Sequence, residues 1–318
     1  MLRPSRSLRA AFTLIELLVV IAIIGTLTGL TLAGVMRVLV VRQKAETTAR
    51  MTAVNNALTT VKSSESWGSI PYIPPGRYEY TAHPVTAPNG PGWYPFRLRN
   101  QYASPTGPGE PGIDSFEAKF LQRAFGKGAR LDFSDLGYRN DANQPVLSAD
   151  LDANATLTFF LAGIVETDGQ GNGTFTGRST NPVRPFIRRN TPDEKRINSA
   201  LDLGGSKKYI LSQGASGFWY AKLTDAYDQP FAYFAPLEGG RGKYVGYAPH
   251  VGGYNTLPQG AVQVYRSNNQ FENADGYQMI SSGRDKRFGL TGNLASVDKD
   301  GEDDLSNFST SQLGAGKN

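Results

Sequence analysis

Residues 11–36 read AFTLIELLVVIAIIGTLTGLTLAGVM, an apolar run with one carboxylate, Glu16, near its front edge. From Leu17 to Met36 no residue carries a charge, which amounts to about 30 Å of helix and is enough to cross a bilayer. The residues ahead of the run, MLRPSRSLRA, hold Arg3, Arg6 and Arg9 and no acid. By the positive-inside rule they keep the N-terminus in the cytoplasm, and everything after Arg37 then lies outside that membrane. A cleaved secretory signal is the alternative, but its apolar region is only about 7–15 residues long and ends in a small-residue cleavage site. Glu16 is the second objection, because a carboxylate in a membrane helix costs on the order of 3 kcal/mol and calls for a partner.

Past the run, Met51, Val54, Leu58 and Val61 recur at spacings of three and four and form one apolar stripe. Glu46 and Arg50 are set as an i, i+4 pair on the exposed side. One helix over residues 12–63 is expected, its first half facing lipid or other subunits and its second half facing its own globular domain. Two helices broken near Arg42 are the alternative. Gly25, Gly29 and Gly34 either permit close helix contact or mark local unwinding.

The segment AFTLIELLVVIAIIG, with a small residue ahead of Phe-Thr-Leu-Ile-Glu and a long apolar stretch behind it, resembles the class III signal of type IV pilins and type II secretion pseudopilins. The resemblance implies that residues 1–11 are a leader. A prepilin peptidase cuts it between Ala11 and Phe12 and methylates the new amine of Phe12, and the apolar helix, with its transmembrane part at residues 17–36, is retained. The family usually has glycine before the cut, where this chain has Ala11. Glu16 becomes the fifth residue of the mature chain, and the resemblance pairs its carboxylate with the terminal ammonium of a neighbouring subunit, which turns a costly buried charge into a registry device. Further implied partners are identical or related pilin-like subunits, an inner-membrane assembly platform and membrane lipid.

The chain has 318 residues, 39% of them hydrophobic, with 36 glycines, 19 prolines and no cysteine. That is material for a sizeable core with many turns, and it excludes disulfides, thiolate metal sites and cysteine nucleophiles. The net charge of +5 falls to +2 once the three leader arginines are removed, so basicity says little about partners. Residues 64–318 read as an extracytoplasmic globular domain with a Pro/Gly-rich insertion at 68–190. From Pro71 to Gly112 the prolines exclude a persistent helix or central strand, and the interleaved Tyr72, Tyr78, Tyr80, Trp93, Tyr94 and Phe96 favour a packed irregular loop. Short helices are expected in DSFEAKFLQRAFGKG, with Phe116, Phe120, Leu121 and Ala124 on one face and an end at Gly126, and in DANATLTFFLAGI, with Asp152 as N-cap and Leu157, Phe160, Leu161 and Ile164 inward. TDGQGNGTFTG reads as a surface loop, and the capping box Thr191-Pro192-Asp193-Glu194 predicts a third short helix over PDEKRINSAL. The segments KKYILS, GFWYAKL, PFAYFAP, AVQVYR and YQMISS read as strands of an antiparallel meander. The fold class is α+β, a long N-terminal helix packed on a C-terminal antiparallel sheet, and the resemblance implies the same pilin-like fold.

DAYDQPFAYF, YQMISSGRDKRFG and DKDGEDDLSNF are similar to the end of the major pseudopilin of type II secretion, in which an acidic loop binds calcium. By motif position Asp285, Glu302 and Asp304 match that loop. Asp298, Asp300, Glu302, Asp303 and Asp304 crowd five carboxylates into seven residues, a repulsion a divalent cation relieves; a solvated acidic tail is the alternative. A formal EF-hand fails, because Ser309 stands where its closing glutamate would be.

Enzyme chemistry finds no support. His83 and His250 are the only histidines, Gly214–Gly217 falls one residue short of a nucleophile elbow, and no phosphate-cradling Gly-x-x-x-x-Gly-Lys-Ser occurs. RPFIRRN with Lys195 and Arg196 reads as a solvated loop rather than a nucleic-acid contact. The expected function is that of a structural subunit of a pilus-like filament, in a type II secretion pseudopilus or a type IV pilus. The alternative is a membrane-anchored extracytoplasmic ligand-binding protein that does not polymerise.

Overall fold

A computed structural model of the chain describes residues 14–63, 77–78, 93–94, 96–99, 116–129, 131, 136, 148–167, 173–188, 195–204, 208–213, 219–235 and 262–314. Helix α1, Leu14–Ser63, is continuous through Arg42, with 50 residues or about 75 Å of length. The structure divides into two compact units, one ending at Ala45 and the other running from Glu46 to Asn318.

In the first unit the large apolar side chains from Leu14 to Val41 are exposed except the half-buried Val40, with Leu14 at 80% and Leu30 at 75%. Among the described residues α1 is the one helix long and apolar enough to cross a membrane. Its threonines suit that setting. Thr26 donates its hydroxyl to Ile23 O, Thr28 to Ile24 O and Thr31 to Leu27 O, at 2.9, 2.7 and 2.9 Å, so each polar group is satisfied within the helix, as lipid requires.

The second unit is a mixed α+β body. On α1, Met51, Val54, Ala57, Leu58 and Val61 are buried, as the stripe predicts. Short antiparallel pairs open the insertion: β1 (Arg77–Tyr78) with β2 (Trp93–Tyr94), and β3 (Phe96–Arg99) with β4 (Ser148–Leu151). Helix α2, Phe116–Phe125, buries Phe120, Leu121 and Ala124 and stops at Gly126, whose φ of 104° only glycine adopts freely. Helix α3, Ala153–Ala162, begins where Asp152 accepts the amide of Ala155 at 2.8 Å. Every residue of α3 from Asn154 to Ala162 is buried, so this is a central helix rather than one with a single inward face. Its polar side chains are accordingly paired: Thr156 donates to Asp152 O, Thr158 donates to Asn154 O, and Asn154 bonds Leu223 O, Phe231 O and Leu223 N at 2.7 to 2.9 Å. Around α3, Phe96, Phe120, Phe159, Phe160 and Phe186 pack ring on ring, with centroids 4.5 to 5.5 Å apart in the closer pairs. These residues share one core with the α1 stripe. The insertion is thus part of the body and supplies much of its centre.

Several expectations are corrected. TDGQGNGTFTG contains a hairpin, β5 (Val165–Thr167) with β6 (Gly173–Phe175), residues 168–172 lying outside the described set. The helix expected over PDEKRINSAL does not form where it is described: Arg196–Ile197 is strand β8, paired with β7 (Arg178–Ser179). The strands do not make one meander. β9 (Tyr209–Gln213) and β10 (Trp219–Leu223) form a separate hairpin, while β11 (Ala232–Phe234), β14 (Gln278–Ser281) and β15 (Leu305–Ser306) form a three-stranded antiparallel sheet in the order β11-β14-β15. AVQVYR enters a strand only at Arg266, in the small hairpin β12 (Arg266–Ser267) with β13 (Gln270–Phe271). Val262, Val264 and Tyr265 instead lie against one face of the three-stranded sheet, with Ala232, Phe234 and Ile280, while Tyr233, Met279 and Leu305 face the main core. With both faces covered, the polar-out alternation expected of a half-buried sheet is absent.

Candidate functional site

Ala11 and Phe12 lie outside the described residues. Glu16 sits in the first turn of α1, exposed, where a negative charge favours the helix dipole. The apolar exposed helix behind it is the feature whose chemistry demands a partner, because a monomer in water does not leave such a surface uncovered.

The second half of α1 is locked to the sheet domain by a polar cluster that sequence reasoning missed. Glu46 and Arg50 pair at 2.6 Å as the spacing predicts, yet Arg50 is only 12% exposed. Its guanidinium also donates to Thr224 O at 2.8 Å and Asp225 O at 2.6 Å. One turn earlier, Thr47 Oγ1 accepts the amide of Ala226 at 3.1 Å. The fully buried Asp225 organises this loop: Oδ1 accepts the amides of Tyr227 and Gln229, and Oδ2 accepts the Ser281 hydroxyl at 2.6 Å. Burial pushes its carboxyl above the usual range, and these hydrogen bonds together with Arg50 pull it back. The signal available in the sequence was DAYDQP, an aspartate followed by a turn closed by proline.

Of the six candidate calcium carboxylates, most are engaged with backbone amides. Asp298 accepts Leu290 N and Gly301 N, Asp303 accepts Arg284 N and Asp285 N, and Asp285 accepts Arg287 N. Asp300 lies 4.0 Å from Arg287, and Glu302 is exposed. Asp304 differs. It is fully buried, its Oδ2 accepts Gly289 N at 3.0 Å and the Tyr265 hydroxyl at 3.3 Å, and its Oδ1 has no hydrogen-bond partner. Burial, with Asp303 and Asp285 adding repulsion, pushes its carboxyl up to about 8 against the pull of the two hydrogen bonds. Among the described residues no three His, Cys, Asp or Glu side chains are gathered so as to hold a metal ion.

The basic stretch is mixed: Arg188 and Lys195 are exposed, Arg184 and Arg196 are half-buried, and Arg189 lies outside the described residues. Arg196 donates to Thr176 O, Ile187 O and Gly177 O, Arg188 pairs with Glu166 at 3.2 Å, and the buried Arg178 lies over the Phe125 ring. His83, His250 and residues 214–217 lie outside the described residues.

Residues 6–32 match the family model of the prokaryotic N-terminal methylation motif. No curated protein and no solved structure matches the chain.

Proposed function

With a type IV pilin-like prepilin signal at the head of the chain, we propose that the protein is a structural subunit of a pilus-like filament, in a type II secretion pseudopilus or a type IV pilus. The observation that carries this reading is α1, whose large apolar side chains between Leu14 and Val41 are exposed, the half-buried Val40 apart, around a carboxylate in the first helical turn. The precursor enters the inner membrane with Arg3, Arg6 and Arg9 in the cytoplasm and the globular domain outside. A prepilin peptidase cuts between Ala11 and Phe12 and methylates Phe12. The assembly platform then moves the subunit from lipid into a polymer whose core is the apolar helices, where Glu16 meets the Phe12 ammonium of a neighbour. Glu16→Ala is expected to insert and be cleaved normally but to reduce polymer at least about ten-fold, because removal of one partner strands a buried charge. Incorporation at the wild-type level argues for a non-polymerising anchor. Intact mass is expected to show loss of residues 1–11 and gain of one methyl group.

A second reading, calcium at the C-terminal loop, rests on the buried and unpartnered Asp304 Oδ1. The six carboxylates do not fit as one set, since Asp298 has both oxygens on amides. What a hard divalent cation would relieve is the buried Asp304 oxygen beside the like charges of Asp303 and Asp285; since no three carboxylates are gathered there among the described residues, the other ligands would be backbone carbonyls and water. The thermal midpoint of the full chain in about 1 mM calcium should exceed that in chelator, and Asp304→Asn should abolish the difference. Equal wild-type midpoints remove this reading.

A further inference from the structure

The second unit carries an open groove of 280 Å³ walled by α1 and floored by buried core side chains. Ala49 and Ala53 form the helix wall, and Val54, Leu203, Leu223 and Phe231 the floor. It is smaller than the usual small-molecule site of about 300–1,000 Å³. Its rim charges are already engaged: Arg50 with Glu46, and Lys208 with Asp202 O at 3.4 Å. An apolar, side-chain-sized occupant suits such a groove, and an ionic ligand does not.

The chain itself contains the matching surface. Elsewhere among the described residues large exposed apolar side chains are few, Val183, Ile197, Ile210 and Leu290, whereas α1 exposes them from Leu14 to Val41. Within one copy that segment cannot reach the groove, because both belong to one continuous helix. A second copy can. Val41 and Glu46 are five positions apart, so a copy displaced along the helix by about 8 Å or more brings its exposed segment level with the groove. The paired alanines, one helical turn apart, let a second helix approach closely.

We propose that this groove receives aliphatic side chains from the exposed α1 segment of a second copy, which makes it the subunit's own socket for polymer contact. This deepens the filament reading and rests on it. The chain has no cysteine, so introduced thiols report cleanly. Cells co-expressing full-length Ala53→Cys copies with copies bearing one cysteine at each position from Leu27 to Val41 in turn are oxidised, and dimers are scored. Cross-links are expected at positions recurring every three or four residues, present with Glu16 intact and lost in Glu16→Ala. Ala53→Trp, at an exposed site that leaves the core untouched, is expected to fill the groove and cut polymer at least ten-fold with the thermal midpoint unchanged. Filaments that form without any cross-link to Ala53→Cys, or that tolerate Ala53→Trp, overturn the socket and leave the filament reading standing. If wild-type cells make no filament at all, both fall.

Discussion

Asp225→Ala is expected to cost the globular domain about 3–5 kcal/mol and lower its thermal midpoint by on the order of 10 °C. The carboxylate is fully buried and accepts three donors, the Ser281 hydroxyl and the amides of Tyr227 and Gln229. Alanine leaves two fixed amides without this acceptor, that of Tyr227 buried and that of Gln229 part-buried, and each such loss costs up to about 1–3 kcal/mol. The same loop presents Thr224 O and Asp225 O to Arg50 and the Ala226 amide to Thr47, so its collapse loosens the grip of the domain on the second half of α1. Asp225→Asn is the informative companion. Its amide oxygen keeps both backbone amides, and the Ser281 hydroxyl rotates to accept from the new NH₂. Because burial holds the Asp225 carboxyl above its ordinary range, a neutral side chain is tolerated there, and asparagine should cost about 1 kcal/mol. Thermal melts of the three proteins test this ordering. If alanine and asparagine are equally mild, Asp225 does not hold the loop.

The parts of the fold legible in the sequence are those whose signals are local and agree with their packing. The stripe from Met51 to Val61 has helical spacing and is buried, and Asp152 followed by an apolar run caps a real helix. Where a local signal met a non-local competitor, the competitor won. Thr191-Pro192-Asp193-Glu194 has a helix-start pattern, yet Arg196 is fixed by three carbonyls of residues 176, 177 and 187 and pairs with β7. A guanidinium that satisfies three part-buried acceptors outweighs a capping preference of about 1 kcal/mol. The glycines of TDGQGNGTFTG suggested a loop, but Gly163 and Gly177 bridge so closely that a Cβ on Gly163 would stand 2.2 Å from Gly177 O. That contact fixes the entry to the β5–β6 hairpin and depends on two residues fourteen apart.

The candidate site divides along the same line. Glu16 was legible because one charge in a long apolar run is conspicuous without any tertiary information. The Arg50–Asp225 lock was not, since its partners lie 175 positions apart, and an i, i+4 ion pair offered a sufficient local account of Arg50. The acidic loop was legible in composition only. Five carboxylates in seven residues signal repulsion, but the amides of Arg284, Asp285, Leu290 and Gly301 that answer Asp298 and Asp303 become visible only when the chain is folded.

Asp304 sets the pH response expected of the folded chain. Its carboxyl is pushed up to about 8, whereas an unfolded aspartate titrates near about 3.9. Between those values the folded protein keeps a proton that the unfolded chain has released, so the protonated Asp304 stabilises fully at acid pH and this contribution is lost as pH rises through the folded value. In chelator, full-length protein in detergent should therefore lose on the order of a few kcal/mol between about pH 5 and pH 8.5 by denaturant titration, superimposed on its other titrations. Asp304→Asn, neutral at every pH, should lack that component and be the more stable protein at the alkaline end. Parallel pH profiles for the two would mean that the carboxyl ionises in place at ordinary pH, and that its buried Oδ1 is compensated by something other than a proton. Tyr265 sharpens the distinction. Its hydroxyl donates to Asp304 Oδ2 at 3.3 Å, a bond that favours the charged form, so Tyr265→Phe should raise the carboxyl further and extend the loss to higher pH if the carboxyl is protonated in the fold.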